Sequence, residues 1–161
     1  LSFWLTYPYS LTQKLKEIAK DVHLNVLREQ WEEPDLWDQN YLLNKSMKVF
    51  HREIIMYAGN LACWYARTTI PQATYQANSW LFSRLQHESL GDIIYHESKI
   101  ERTHLNPYQI DDEMDEYFRV KGLIPLYESK LWGRSSSFII NKKDPFHLVE
   151  IFLPDLERFA F

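Results

Sequence analysis

The sequence predicts an α+β fold, a single domain in which helices flank an antiparallel sheet, and three observations carry that reading. Apolar, β-rich runs follow one another through hairpin-type turns rather than through the long helical crossovers of alternating βαβ units. Short segments with helical spacing are interspersed among them. The length, 161 residues, suits one hydrophobic core.

Ser10 or Thr12 can cap a first helix running to about Asp21, with Leu11, Leu15, Ile18 and Ala19 recurring at helical spacing. From 23 to 32 the pattern becomes strand-like, and 32–44, with Pro34, reads as a loop or short helix. Residues 47–57 and 61–70 are β-rich and separated by Ala58, Gly59 and Asn60, which is the signature of a hairpin. Pro71 ends the second of these strands. A helix is predicted over 77–86, where Trp80, Leu81, Arg84 and Leu85 share a side, and a shorter one over 90–95. Residues 98–105 return to the sheet, and 111–120 is acidic and helix-compatible. An irregular connection over 123–133 leads to the last two strands, 135–141 and 146–154, joined by a turn at Lys142, Lys143, Asp144 and Pro145.

Composition narrows the function classes. The formal charge is −4, without a basic block of the kind that tracks a phosphate backbone, so nucleic acid is not an expected partner. Cys63 is the single cysteine, which excludes an internal disulfide framework or a multi-thiolate zinc site and fits a reducing compartment. The longest apolar stretch is interrupted by Gly59 and Asn60, so no membrane span is expected and the reading is cytoplasmic. The first residue is Leu rather than Met, which leaves open what precedes it.

The most informative residue is Glu150, inside the apolar closing run FHLVEIFLP. Strand side chains alternate, so Leu148, Glu150 and Phe152 share one face while His147, Val149 and Ile151 share the other. A carboxylate threaded between large apolar neighbours needs a cation, hydrogen-bond donors or a shifted pKa, and is a functional-site candidate on that ground. Among the cations, Arg52 alternates with Ile54 and Met56, and Arg67 is expected to share a face with Cys63, Tyr65 and Thr69. Both hairpin strands then aim a guanidinium at one region, an arrangement suited to a small dianion. The plainer reading is an ion pair between Glu150 and one arginine, or solvated arginines on an open sheet. Metal binding is set aside, because His147 and Glu150 point to opposite faces of a strand and the other histidines show no ligand spacing. No nucleophile elbow, Walker loop or dinucleotide turn is present, and Cys63 reads as packing.

Taken together, WLTYPYSLT near the start, REII at Arg52, ARTTIP at Arg67, SLGDIIY at Leu90, LWGRSS at Trp132 and VEIFLP at Glu150 make the chain resemble bacterial chorismate lyase over residues 4–154. The resemblance implies a six-stranded antiparallel sheet and cleavage of chorismate to 4-hydroxybenzoate and pyruvate without metal or organic cofactor, in ubiquinone biosynthesis, by a monomer. It further implies that Arg52 binds the ring carboxylate, helped by the backbone amides of Leu11 and Leu90. Arg67 would serve the enolpyruvyl carboxylate, and Glu150 would lie near the ring hydroxyl. For both leucines the plain alternative is core packing. The segment 106–127 looks longer than the connection usual in that family, so an extra helix over the sheet, affecting access to the site, is expected there. The main alternative keeps the fold without the chemistry, as a small-molecule-sensing domain of the type attached to transcriptional regulators. A purely structural or partner-binding domain is the third reading.

Overall fold

The computed structural model describes residues 1–42 and 47–159, and its strands form one antiparallel sheet. The strands are β1 (Val22–Glu32), β2 (Val49–Ala58), β3 (Leu61–Pro71), β4 (Ile100–Asp111), β5 (Lys130–Ile140) and β6 (Asp144–Phe152), in the order β1-β2-β3-β6-β5-β4. The helices are α1 (Ser2–Thr6), α2 (Leu11–Ile18), α3 (Gln72–Ala77), α4 (Ser79–Phe82), α5 (Leu90–His96) and α6 (Asp115–Lys121). The expected fold class and the six antiparallel strands are therefore those observed. No helix among the described residues is long and apolar enough to cross a membrane.

Differences from the sequence reading lie mostly at boundaries. Strand β4 runs through Pro107 to Asp111, because β4 is a sheet edge and a missing N–H on its open side breaks no ladder. Strand β5 begins at Lys130 and takes in Gly133, which reads as loop by composition. At Gly133 the strands approach so closely that an added Cβ would lie 2.8 Å from the Glu150 carbonyl oxygen. The helix expected over 77–86 is instead divided. Asn78 separates α3 from α4, its side chain donating to the Thr74 carbonyl at 2.9 Å and to Asp144 at 3.0 Å, and Ser83–Gln86 forms a 3₁₀ turn. The 32–44 stretch holds a 3₁₀ turn at Asp38–Asn40, and its positions 43 and 44 lie outside the described residues. Helix α1 and the closing 3₁₀ segment Pro154–Phe159 carry no sequence signal strong enough to be read.

The alternation along β6 divides the core as expected. Leu148 and Phe152 join Trp4, Leu15, Ile54, Met56 and Phe138 on one face, beneath α1, α2, α4 and α5. Val149 and Ile151 join Trp37, Tyr65, Ile110, Tyr117 and Val120 on the other, so α6 covers this second face. Burying each large side chain stabilises by roughly 1.5–3 kcal/mol. A one-residue slip of β6 would turn both sets inside out, which fixes its register and the direction of Glu150.

Candidate active site

On the first face, Glu150 of β6 lies between Ala66 of β3 and Arg134 of β5 in the pairing register. Directly opposed residues point to the same side, so Arg134 arrives beside Glu150 without any loop having to carry it. Arg134 is 1% exposed and its Nε donates to Glu150 Oε1 at 2.8 Å. Its Nη1 donates to the Tyr7 carbonyl at 2.7 Å and the Trp4 carbonyl at 3.3 Å, so the end of α1 fixes the guanidinium. The partner that Glu150 requires is thus Arg134, which the sequence reading did not single out.

Arg52 of β2 faces the same side, with Ile54 and Met56, and is 4% exposed. Its Nε is buried without a hydrogen bond, and the Glu29 carboxylate stands 3.6 Å away, an ion-pair distance only. Burial lowers the pKa of this guanidinium further than Glu29 raises it. Arg102 of β4 is in a similar condition. Its Nε is also buried and unbonded, while Nη1 donates to the Pro8 carbonyl at 3.1 Å and Nη2 to the Tyr95 hydroxyl at 2.7 Å. Burial, and then repulsion from Arg134, hold its pKa below the ordinary arginine value, against the opposing pull of Tyr95 and Glu150. A buried cation that lacks a full counter-charge is costly unless an anion arrives to complete it.

These groups surround one cleft with about 550 Å³ of empty space, including the part open to solvent. Three arginines and one carboxylate are among its lining residues: Glu150 is taken by Arg134, Arg52 has the 3.6 Å contact to Glu29 from outside the lining, and Arg102 has no ion-pair partner among the described residues. The cleft is roofed by the N-termini of α2 and α5. Ser10 Oγ accepts from the Gln13 amide and Ser89 Oγ from the Asp92 amide, capping both helices. Leu11 and Leu90 are the first helical residues, whose N–H groups have no acceptor inside a helix. Both residues line the cleft and both are also buried in the core, so their side chains pack while their backbones border the cleft. The two helix ends meet at Gly91, where an added Cβ would stand 3.0 Å from Ser10 Oγ, and a 2.9 Å bond from Gln13 to Asp92 joins them.

Arg67 does not enter this cleft. Arg52 is paired with Thr68, so Arg67, one residue away and paired with Glu53 and Val149, points to the second face. The expected row of Cys63, Tyr65 and Arg67 breaks at a bulge, since the register shifts between Met56 and Tyr57 and Cys63 falls in the first-face core while Tyr65 falls in the second. Arg67 donates to Asp35 at 2.8 Å and Asp38 at 2.7 Å and lies 4.4 Å over the Trp37 ring. His51 Nε2 is 2.8 Å from Asp38, and Glu32 holds the other ring nitrogen. Nearby, Glu53 is bound by Arg119 of α6 and by Tyr65. Arg67 therefore ties the 33–42 loop to the sheet. Likewise α6, the helix expected within the acidic 106–127 segment, packs away from the cleft and does not control entry to it.

This second-face network has its own signature. Burial opposes ionisation of Asp38, but the hydrogen bond from His51 and the charge of Arg67 outweigh it and hold the carboxyl down at about 2. A carboxyl depressed in the folded state contributes stability that is complete above its unfolded value, near 3.8, and lost as pH falls through about 2. The expected contribution is about 2 kcal/mol. Asp38→Asn should accordingly flatten the acid limb of urea-unfolding stability between about pH 4 and pH 2; an unaltered slope there would contradict the assignment.

The sequence pattern of the chorismate lyase family matches residues 1–158. A probable chorismate pyruvate-lyase of Coxiella burnetii (strain RSA 493 / Nine Mile phase I) is 34% identical over 158 residues, covering 95% of this chain and 82% of its own length. A second, from Pseudoalteromonas translucida (strain TAC 125), is 28% identical over 151 residues, covering 94% and 82%. Among solved structures, a GntR-family transcriptional regulator from Bacillus cereus superimposes with a TM-score of 0.64 at 12% identity, over 88% of this chain and 96% of the other. One from Enterococcus faecalis V583 gives a TM-score of 0.59 at 13% identity, over 86% and 97%. At such identities the likeness to the regulators is one of fold.

Proposed function

This chain belongs to the chorismate lyase family, and on that premise we propose that it cleaves chorismate to 4-hydroxybenzoate and pyruvate, without metal or organic cofactor. The observation that carries the reading is the surplus of positive charge facing Glu150: Arg52 and Arg102 each keep a buried, unbonded Nε in a cleft whose lining holds a single carboxylate. A substrate with two carboxylates supplies an acceptor for each, whereas a ligand without carboxylates would leave both Nε donors unanswered.

In this reading Arg52 anchors the ring carboxylate from below while the amides of Leu11 and Leu90 meet it from the helix ends. Glu150, held by Arg134, receives the ring hydroxyl and stands beside the hydrogen on the carbon that carries it. Removal of that proton, with cleavage of the adjacent ring carbon–oxygen bond, makes the ring aromatic and releases enolpyruvate, which takes up a proton to become pyruvate. Much of the driving force resides in the substrate, so the protein's part is positioning and charge stabilisation. The same reading has the protein act as a cytoplasmic monomer, at the step that commits chorismate to ubiquinone biosynthesis.

Incubating the protein with chorismate and following 4-hydroxybenzoate and pyruvate by chromatography tests it directly. Both products are expected in equal amounts. The fold shared with GntR-family regulators supports one competing reading, a sensing domain without chemistry. Chorismate bound by calorimetry yet recovered intact would establish that reading and reject the lyase.

A further inference from the structure

A lyase acting on chorismate must hold a second carboxylate, on the enolpyruvyl arm, and with Arg67 on the opposite face the role expected of it has no owner. We propose that Arg102, steadied by Tyr95, is the anchor for that carboxylate. The inference rests on the lyase reading above and assigns the remaining half of the same cleft.

Three features of the structure lead there. First, Arg134 is already committed, since its guanidinium serves Glu150 and the Trp4 and Tyr7 carbonyls and is 1% exposed. Among the described residues Arg102 has only Pro8 and Tyr95 as hydrogen-bonded partners, and it keeps a buried, unbonded Nε on the cleft wall. A guanidinium offers five N–H donors, so a carboxylate can be bound without displacing either partner.

Second, the strand order spreads the three side chains across the cleft. Arg52 is on β2, Glu150 on β6 and Arg102 on β4, with one strand between each consecutive pair. Neighbouring strands are about 4.8 Å apart, so these backbones are spaced by roughly 10 Å and then roughly 10 Å again, and the long arginine side chains reach inward from either side. With the ring carboxylate at Arg52 and the ring hydroxyl at Glu150, the arm on the carbon next to the hydroxyl extends toward the β4 side.

Third, Arg102 is oriented before any ligand arrives. Its guanidinium carbon lies 5.2 Å from the Phe138 ring centre and 5.7 Å from that of Tyr95, and the Tyr95 hydroxyl accepts from Nη2 at 2.7 Å. Burial pushes the Tyr95 phenol up, so it remains neutral and does not supply the missing counter-charge. Tyr95 is thus a positioning residue and Arg102 the binding group.

The assignment separates substrate from product, because 4-hydroxybenzoate keeps the ring carboxylate and hydroxyl but lacks the enolpyruvyl arm. In Arg102→Gln, kcat/KM for chorismate should fall by about a hundredfold, while calorimetric Kd for 4-hydroxybenzoate stays within about twofold of wild type. Tyr95→Phe should move kcat/KM in the same direction by about three- to tenfold, again sparing the product. Circular dichroism and a thermal melt of each variant establish that it is folded. Equal weakening of substrate and product, or unchanged kcat/KM in folded Arg102→Gln, overturns the inference while leaving the lyase reading intact. Failure of the wild-type protein to convert chorismate removes both.

Discussion

Glu150→Gln is expected to bind 4-hydroxybenzoate within about threefold of wild-type affinity and to turn chorismate over at least about a hundredfold more slowly. Glutamine has nearly the same shape and can still offer an oxygen to Arg134 Nε and to a phenolic hydroxyl, so recognition of the product persists. What it lacks is the ability to take a proton. Single-turnover kinetics with chorismate, beside calorimetry with 4-hydroxybenzoate, read the two quantities separately. A loss smaller than about tenfold would reduce Glu150 to an orienting group, and a wild-type rate would remove it from the mechanism.

Arg134→Met has the second large effect, this time on stability. Removing one partner of a buried pair leaves a buried carboxylate without its cation and typically costs about 3–5 kcal/mol. Here the Trp4 and Tyr7 carbonyls lose their donor as well, so the end of α1 is released along with Glu150. Urea unfolding should show that loss, which is a large share of the stability of an ordinary domain. In the double variant Arg134→Met with Glu150→Leu, neither member of the pair is left without the other and much of the stability should return, though without activity. If the double variant is as unstable as the single one, the pair is not what holds that part of the core.

How much of this was legible from residues alone depended on local contrast. Glu150 stood out because large apolar side chains flank it, and the alternation that isolated it also divided Leu148 and Phe152 correctly from Val149 and Ile151. Arg134 is more deeply buried yet gave no such contrast, since its neighbours in LWGRSS are Gly and Ser. Arg102 lies in a polar edge strand where a bulge between Arg102 and His104 breaks the period of two. Alternation within each hairpin strand places Arg67 relative to its own neighbours but does not fix how the two strands are registered across their turn. That register depends on the bulge near Cys63, which the sequence does not announce. Pro107 and Gly133 make β4 and β5 look shorter than they are, the first tolerated on an open edge and the second required by crowding inside the sheet.

The order β1-β2-β3-β6-β5-β4 has a consequence for how the protein comes into being. Before β6 is available, the first three strands and the β4–β5 pair are two separate ribbons, each with an inner edge waiting for a partner. The final strand joins them, and it is the strand that bears Glu150. Long-range pairing of this kind is slow to form and exposed to aggregation while it is incomplete. On the ribosome, Glu150, to which the proposed mechanism gives the proton transfer, emerges with the strand that completes the sheet, so the candidate site cannot assemble before the two ribbons are joined.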